Sequence, residues 1–127
     1  MKKLGRMKIL LTVLALCSTT ALASDFKPYS QAEFQKLQDE NKTVILAFHH
    51  DGCSVSNHQD AILSQLVHED AYETVNVMDV DYHNSEDLQR GLGVSEMGTL
   101  VIFKGADEVA RTSGFVDKND IVTLLQE

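Results

Sequence analysis

The chain has 127 residues, with 11 basic and 19 acidic side chains and a formal net charge of −8. That balance argues against nucleic acid and anionic membrane as partners, because an acidic surface repels both. The length fits one small domain, and no repeat, low-complexity segment or basic patch interrupts it.

Residues 1–23 carry the pattern of a secretory signal peptide. Lys2, Lys3, Arg6 and Lys8 form a basic head, ILLTVLAL (9–16) is apolar, and Ala21-Leu22-Ala23 is a small-x-small cleavage site. The apolar run is about half the length a bilayer-spanning helix needs, so no stable membrane anchor is expected. Met7 is an alternative start, since MKILL is itself a valid beginning. Cys17 suggests a lipoprotein cysteine, but Leu16 stands where that signal needs a small residue.

Cleavage after Ala23 removes four of the 11 basic residues and none of the 19 acidic ones, so residues 24–127 keep 7 against 19, a net charge of −12. The product is expected in the periplasm or outside the cell. Cleavage also leaves Cys53 as the only cysteine. Exported proteins usually pair their cysteines. An odd one points to a reactive thiol or an intermolecular bond, or else to an inert cysteine packed as a small hydrophobe.

Along 24–127, Ser30-Gln31-Ala32-Glu33 reads as a capping box opening a helix that runs to about Glu40, with Ala32, Phe34 and Leu37 as its apolar positions. Residues 43–48 are β-branched and continuously apolar, the pattern of a strand buried on both faces. After the loop 49–52, helical spacing begins near Cys53 and runs to about Glu69, with Ala61, Ile62, Leu66 and Val55 toward one face. Residues 73–81 (ETVNVMDVD) alternate as a second strand, with Val75, Val77 and either Met78 or Val80 inward. Asn84-Ser85-Glu86-Asp87 caps a short helix holding Leu88 and Leu92. Residues 99–104 and 108–112 form an antiparallel hairpin about Gly105-Ala106-Asp107. Gly114 ends it, and Asp117 and Asp120 open a final helix with Ile121, Leu124 and Leu125 inward. A helix joins the first two strands, so they are expected to be parallel. The expected fold class is α/β: a mixed four-stranded sheet with helices on both faces.

This order, with a cysteine between the first main strand and the next helix, resembles the thioredoxin fold over nearly all of 24–127. VILAFHHDGCSVSNHQDAIL is similar to the thioredoxin active-site strand, loop and helix, VNVMDVDYH to the next strand, and GVSEMGTLVIFKGADEVARTSGF to the closing hairpin. The resemblance is greatest to exported thioredoxin-like proteins. It implies thiol–disulfide exchange with protein thiols and disulfides or glutathione, no cofactor, and a monomer.

The departures bear on function. The family's Cys-x-x-Cys is Cys53-Ser54-Val55-Ser56 here. Gly52 replaces the aromatic before the first cysteine, His49 the tryptophan four residues before it, and Ala47 the buried acid six residues before it. Gly98 stands before Thr99 where the family carries a cis-proline, and Pro28 is the chain's one proline.

Cys53 can attack a disulfide, but Ser56 cannot release the mixed disulfide, so resolution needs an outside thiol. A helix N-terminus favours the thiolate, and Ser56, three residues on, is placed to donate a hydrogen bond to it. No lysine or arginine lies between Thr43 and Glu73, and Asp51 opposes ionisation, so moderate activation is expected. The resemblance makes Cys53 and Ser56 the catalytic pair, with Gly98, Thr99 and Gly52 bordering the client. Gly98-Thr99 would offer backbone groups to an extended peptide, or form a simple turn before a strand.

Two alternatives stay open. One is a binding module that keeps the fold and has lost the chemistry. The other is copper or zinc held by Cys53 with His49, His50 or His58. Adjacent strand residues point oppositely, however, and His58 lies roughly 140° around the helix from Cys53. Otherwise His49 packs in place of the tryptophan while His50 and His58 are solvated. His68 and His83 read as surface positions. Asp79 and Asp81 read as solvated strand-end residues rather than a catalytic pair.

Overall fold

The computed structural model describes residues 26–127. The segment 1–23, with Met7 and Cys17, lies outside the described residues. The elements are β1 (Lys27–Pro28), α1 (Gln31–Asp39), β2 (Thr43–His49), α2 (Ser54–Val67), β3 (Asn76–Asp81), α3 (Glu86–Leu92), β4 (Thr99–Lys104), β5 (Asp107–Ser113) and α4 (Lys118–Leu125). Single 3₁₀ turns at Asp70–Tyr72 and Tyr82–Asn84 flank β3.

The sheet has five strands, in the order β1-β3-β2-β4-β5, rather than the four expected. The extra strand pairs parallel with β3 through Lys27↔Met78 and Pro28↔Asp79. Two residues are too short to show an alternating pattern, and proline is tolerated on an edge strand, where its missing N–H breaks no ladder. The parallel β2–β3 pair and the antiparallel β4–β5 hairpin are as expected, and β4 joins them by running antiparallel to β2.

β2 is central, and Val44–Phe48 are all buried. Val44, Leu46 and Phe48 pack with Phe34 and Leu37 of α1, Met78, Val80 and Val101. Ile45 and Ala47 face the other way, toward Leu63 and Leu66 of α2, Ile121 and Leu125 of α4, Val77, Leu100 and Ile102. The continuous apolar run is therefore two alternating sets covered by different helices. In β3 the same alternation sends Val77 to one layer and both Met78 and Val80 to the other; Val75 precedes the strand and is half-buried.

The capping signals act locally as expected. Ser30 Oγ accepts the Glu33 N–H at 3.1 Å, and Asp117 and Asp120 cap α4 reciprocally. Ala32, however, is exposed. The inward stripe of α2 is Ser56, Gln59, Leu63 and Leu66, while Ala61 is exposed and Ile62 half-buried. The reading from apolar residues alone misplaced that stripe because two of its four positions are polar. Among the described residues, no helix is long and apolar enough to cross a membrane.

Candidate functional site

β2 ends at His49, the chain turns through Gly52 at φ +82°, and Cys53 becomes the N-cap of α2. A Cβ at Gly52 would meet nothing within 4 Å, so the approach to the thiol is open on that side. Cys53 is partly exposed and is the one free cysteine among the described residues. Its thiol makes no capping hydrogen bond of good geometry. Its ionised form is nevertheless favoured. The Ser56 N–H and then the Ser56 hydroxyl do most to hold the pKa below the ordinary thiol value; burial opposes them, and the Val55 N–H and the field of His49 add smaller shares. Ser56 itself is buried, and its Oγ accepts the His50 N–H at 3.4 Å. The serine in the second motif position is thus held by the backbone at His50, with its hydroxyl within reach of the sulfur.

His49 departs furthest from the sequence reading. It does more than fill a tryptophan's space. Its side chain is 16% exposed, Nε2 donates to Asp51 Oδ1 at 3.0 Å, and Nδ1 lies 2.8 Å from Asp60 Oδ2. The Nδ1 contact is an ion pair out of line for a hydrogen bond. Asp79 joins from β3, in register with Ala47 and on the same side of the sheet. The resemblance places an acid at position 47; here the carboxyl stands one strand away. Asp79 is half-buried, which corrects its reading as a solvated strand-end residue. Asp81, by contrast, is exposed and accepts the His83 N–H at 3.0 Å, capping the turn after β3.

Burial raises the pKa of Asp60 and Asp79, with His49 opposing the rise in both. For His49, burial lowers the value, but Asp51, Asp60 and Asp79 together raise it above that of an ordinary imidazole. All three groups therefore bind protons more tightly in the folded state than in the unfolded one. Their contribution to stability is complete below the unfolded carboxylate value and is lost as the pH rises through the folded values. The urea midpoint is expected to fall between pH 5 and pH 8, and Asp79→Asn is expected to flatten that slope. An unchanged slope in Asp79→Asn would remove Asp79 from the cluster.

On the other side of Cys53, Gly98 is buried at φ +71°. Its N–H donates to the Phe48 carbonyl at 2.9 Å, and its own carbonyl accepts from Gln59 Nε2 at 2.6 Å and the Gly114 N–H at 3.2 Å. Thr99 is buried, and its Oγ1 donates to the Glu96 carbonyl at 2.7 Å. The groups expected to meet a client are engaged within the protein, and the residue turned to solvent is the preceding Met97, 41% exposed. Gln59 also donates to the Gly114 carbonyl at 2.8 Å, so one buried amide ties α2 to both loops. Sequence reasoning missed Gln59 and Asp60. The signal was there: Ser56, Gln59, Leu63 and Leu66 recur at helical spacing.

The histidines proposed as metal ligands are dispersed. His58 Nε2 donates to the Val116 carbonyl at 2.9 Å, and His50 packs edge-on against His83, with ring centroids 4.1 Å apart. Among the described residues, no group of three or more His, Cys, Asp or Glu is arranged to hold a metal ion.

A cysteine capping the helix after the central strand, a parallel crossover to β3 and a closing hairpin are now in place. A profile of the thioredoxin family, described simply as Thioredoxin, matches residues 25–127. The chain belongs to the thioredoxin family. It is 31% identical over 84 residues to a thioredoxin of Chlamydia muridarum, covering 66% of this chain and 80% of that one. Among solved structures it is similar to Trxlp from Edwardsiella tarda EIB202, with a TM-score of 0.74, 25% identity and coverage of 79% of this chain and 97% of the other. Mitochondrial thioredoxin 3 of Saccharomyces cerevisiae matches with a TM-score of 0.68 at 20% identity, covering 81% and 98%, which is a likeness of fold. Membership supports a thiol–disulfide redox role in general, acting on protein thiols and disulfides.

Proposed function

We propose that this thioredoxin-family protein is exported and works with one thiol, Cys53 attacking a disulfide of its client and relying on an outside thiol for release. The observation that carries the reading is the placement of Cys53: partly exposed, at the N-terminus of α2, with Ser56 and Val55 favouring its thiolate. The residue three positions on is Ser56, so an internal disulfide cannot form. The outside thiol is a second cysteine of the client or a small thiol. Gly52 leaves the sulfur accessible, and Gly98 and Thr99 hold the loop that presents Met97.

Cys53 is expected to react with a neutral thiol probe faster than free cysteine at pH 7, and to form a stable mixed disulfide with a disulfide substrate. Cys53→Ala is expected to lose both. A rate below that of the free amino acid, with function intact in Cys53→Ala, would favour a binding module that has lost the chemistry. Export rests on the pattern of residues 1–23. Expressed with those residues in a host with a secretion pathway, the protein is expected to be recovered outside the cytoplasm beginning at Ser24. Recovery of an intact N-terminus in the cytoplasm would contradict that.

A further inference from the structure

The proposed exchange site has a strong sign of charge. Asp51, two residues before Cys53, has a fully exposed carboxylate. Asp60 and Asp79 converge on His49 behind it, and Asp81 lies opposite His49 in the β2–β3 register. Glu96 is exposed on the loop leading to Gly98, where an added Cβ would meet Val55 of the Cys53 motif. These five carboxylates come from four segments of the fold, and the groups of opposite or variable charge among them are the imidazoles of His49, His50 and His83.

Most basic residues stand apart from these carboxylates. Lys42 and Lys104 stand at the opposite end of β2 and β4, while Lys27 is paired with Glu33, Arg90 with Asp87 and Lys118 with Glu69. Arg111 lines a cavity with Glu96 and Thr99, but its guanidinium is held by Glu108 and the Leu92 carbonyl. The charge that acts on the Cys53 sulfur itself is that of His49, whereas an approaching partner also meets the carboxylates around it.

Resting on the reading of Cys53 as a reactive thiol, we propose that the site selects by charge: its partner is a cationic polypeptide thiol or disulfide, and oxidised glutathione is a disfavoured substrate. The step is ordinary exchange. The Cys53 thiolate attacks one sulfur of the partner's disulfide, a Cys53–sulfur bond forms and the partner's S–S bond breaks. The departing sulfur leaves with the electron pair as a thiolate and takes a proton from water. Cys53 is oxidised and the departing sulfur is reduced; no other oxidant or reductant enters. A basic segment beside the partner's cysteine raises the encounter rate and steadies the mixed disulfide. The carboxylates of oxidised glutathione meet like charges instead.

The test compares three small disulfides of different charge at pH 8: cystamine (cationic), bis(2-hydroxyethyl) disulfide (neutral) and oxidised glutathione (anionic). Rates are divided by those of free cysteine with the same reagents, which removes intrinsic differences in leaving group. Normalised rates are expected to fall in that order, with cystamine roughly tenfold or more ahead of oxidised glutathione at low salt. The ratio is expected to shrink toward one at about 0.5 M salt, where the Debye length is a few ångströms. The double variant Asp51→Asn, Glu96→Gln is expected to lower the ratio. Equal normalised rates, or a ratio indifferent to salt, overturn the selectivity while leaving exchange standing. No reaction with any of the three, the neutral disulfide included, overturns the exchange reading and the selectivity with it.

Discussion

Gly98→Ala is expected to lower stability by ~2–4 kcal/mol, a fall in the thermal midpoint of roughly 10–25 °C for a domain of this size. Two causes act together. At φ +71° an L side chain is strained, which costs about 1–2 kcal/mol. An added Cβ would also lie 2.5 Å from Val55 Cγ1, and the neighbours must move. The causes separate in a double variant. Val55→Ala removes the clashing methyl, so in its background Gly98→Ala is expected to lose mainly the backbone part. Identical costs in the two backgrounds would show that Val55 is not the obstacle.

Gly98→Pro, which brings back the family's residue, is expected to be worse than Gly98→Ala. It removes the N–H that donates to the Phe48 carbonyl and demands a φ near −65°. The glycine is thus part of a different local solution, built with Val55 and Gln59, in which the family's proline no longer fits.

The second large effect is a gain of chemistry. Ser56→Cys is expected to form an internal disulfide with Cys53 under oxidising conditions and to raise turnover in disulfide reduction at least tenfold, since release then becomes intramolecular. The buried Ser56 side chain already adjoins the Cys53 sulfur, so the substitution changes the atom without needing a new path for the chain. Ser56→Ala is the control. It removes the hydroxyl's share of thiolate stabilisation but keeps the helix N–H groups, so the Cys53 pKa is expected to rise without reaching the ordinary thiol value. This is read from the pH dependence of alkylation. Turnover of Ser56→Cys no higher than that of the unaltered protein would show that release is not what the site lacks.

Much of this protein is local in its sequence, and that part was legible. Ser30 and Asp117 cap helices through side chains within three residues. Residues 44–48 and 100–103 are continuously apolar because both faces of a central strand are covered. The cysteine between the first of these strands and the next helix was enough to locate the corner where the site stands. The missing partner at Ser56, and the absence of a nearby lysine or arginine, are statements about order along the chain, which a sequence carries without loss.

Contacts between distant segments were decided only by the tertiary structure. β1 was invisible because two residues have no period, and only β3 gives them a ladder to join. Nothing local gives Gln59 its role: only the fold brings two loop carbonyls, from Gly98 and Gly114, to its amide. Asp79 looked solvated until strand register placed it beside Ala47, on the side of the sheet where His49 meets Asp60. The physical reason is the same in each case. Caps and strand periodicity follow from neighbours within a few residues, whereas burial of a polar group and the pKa it acquires depend on what the folded chain sets against it.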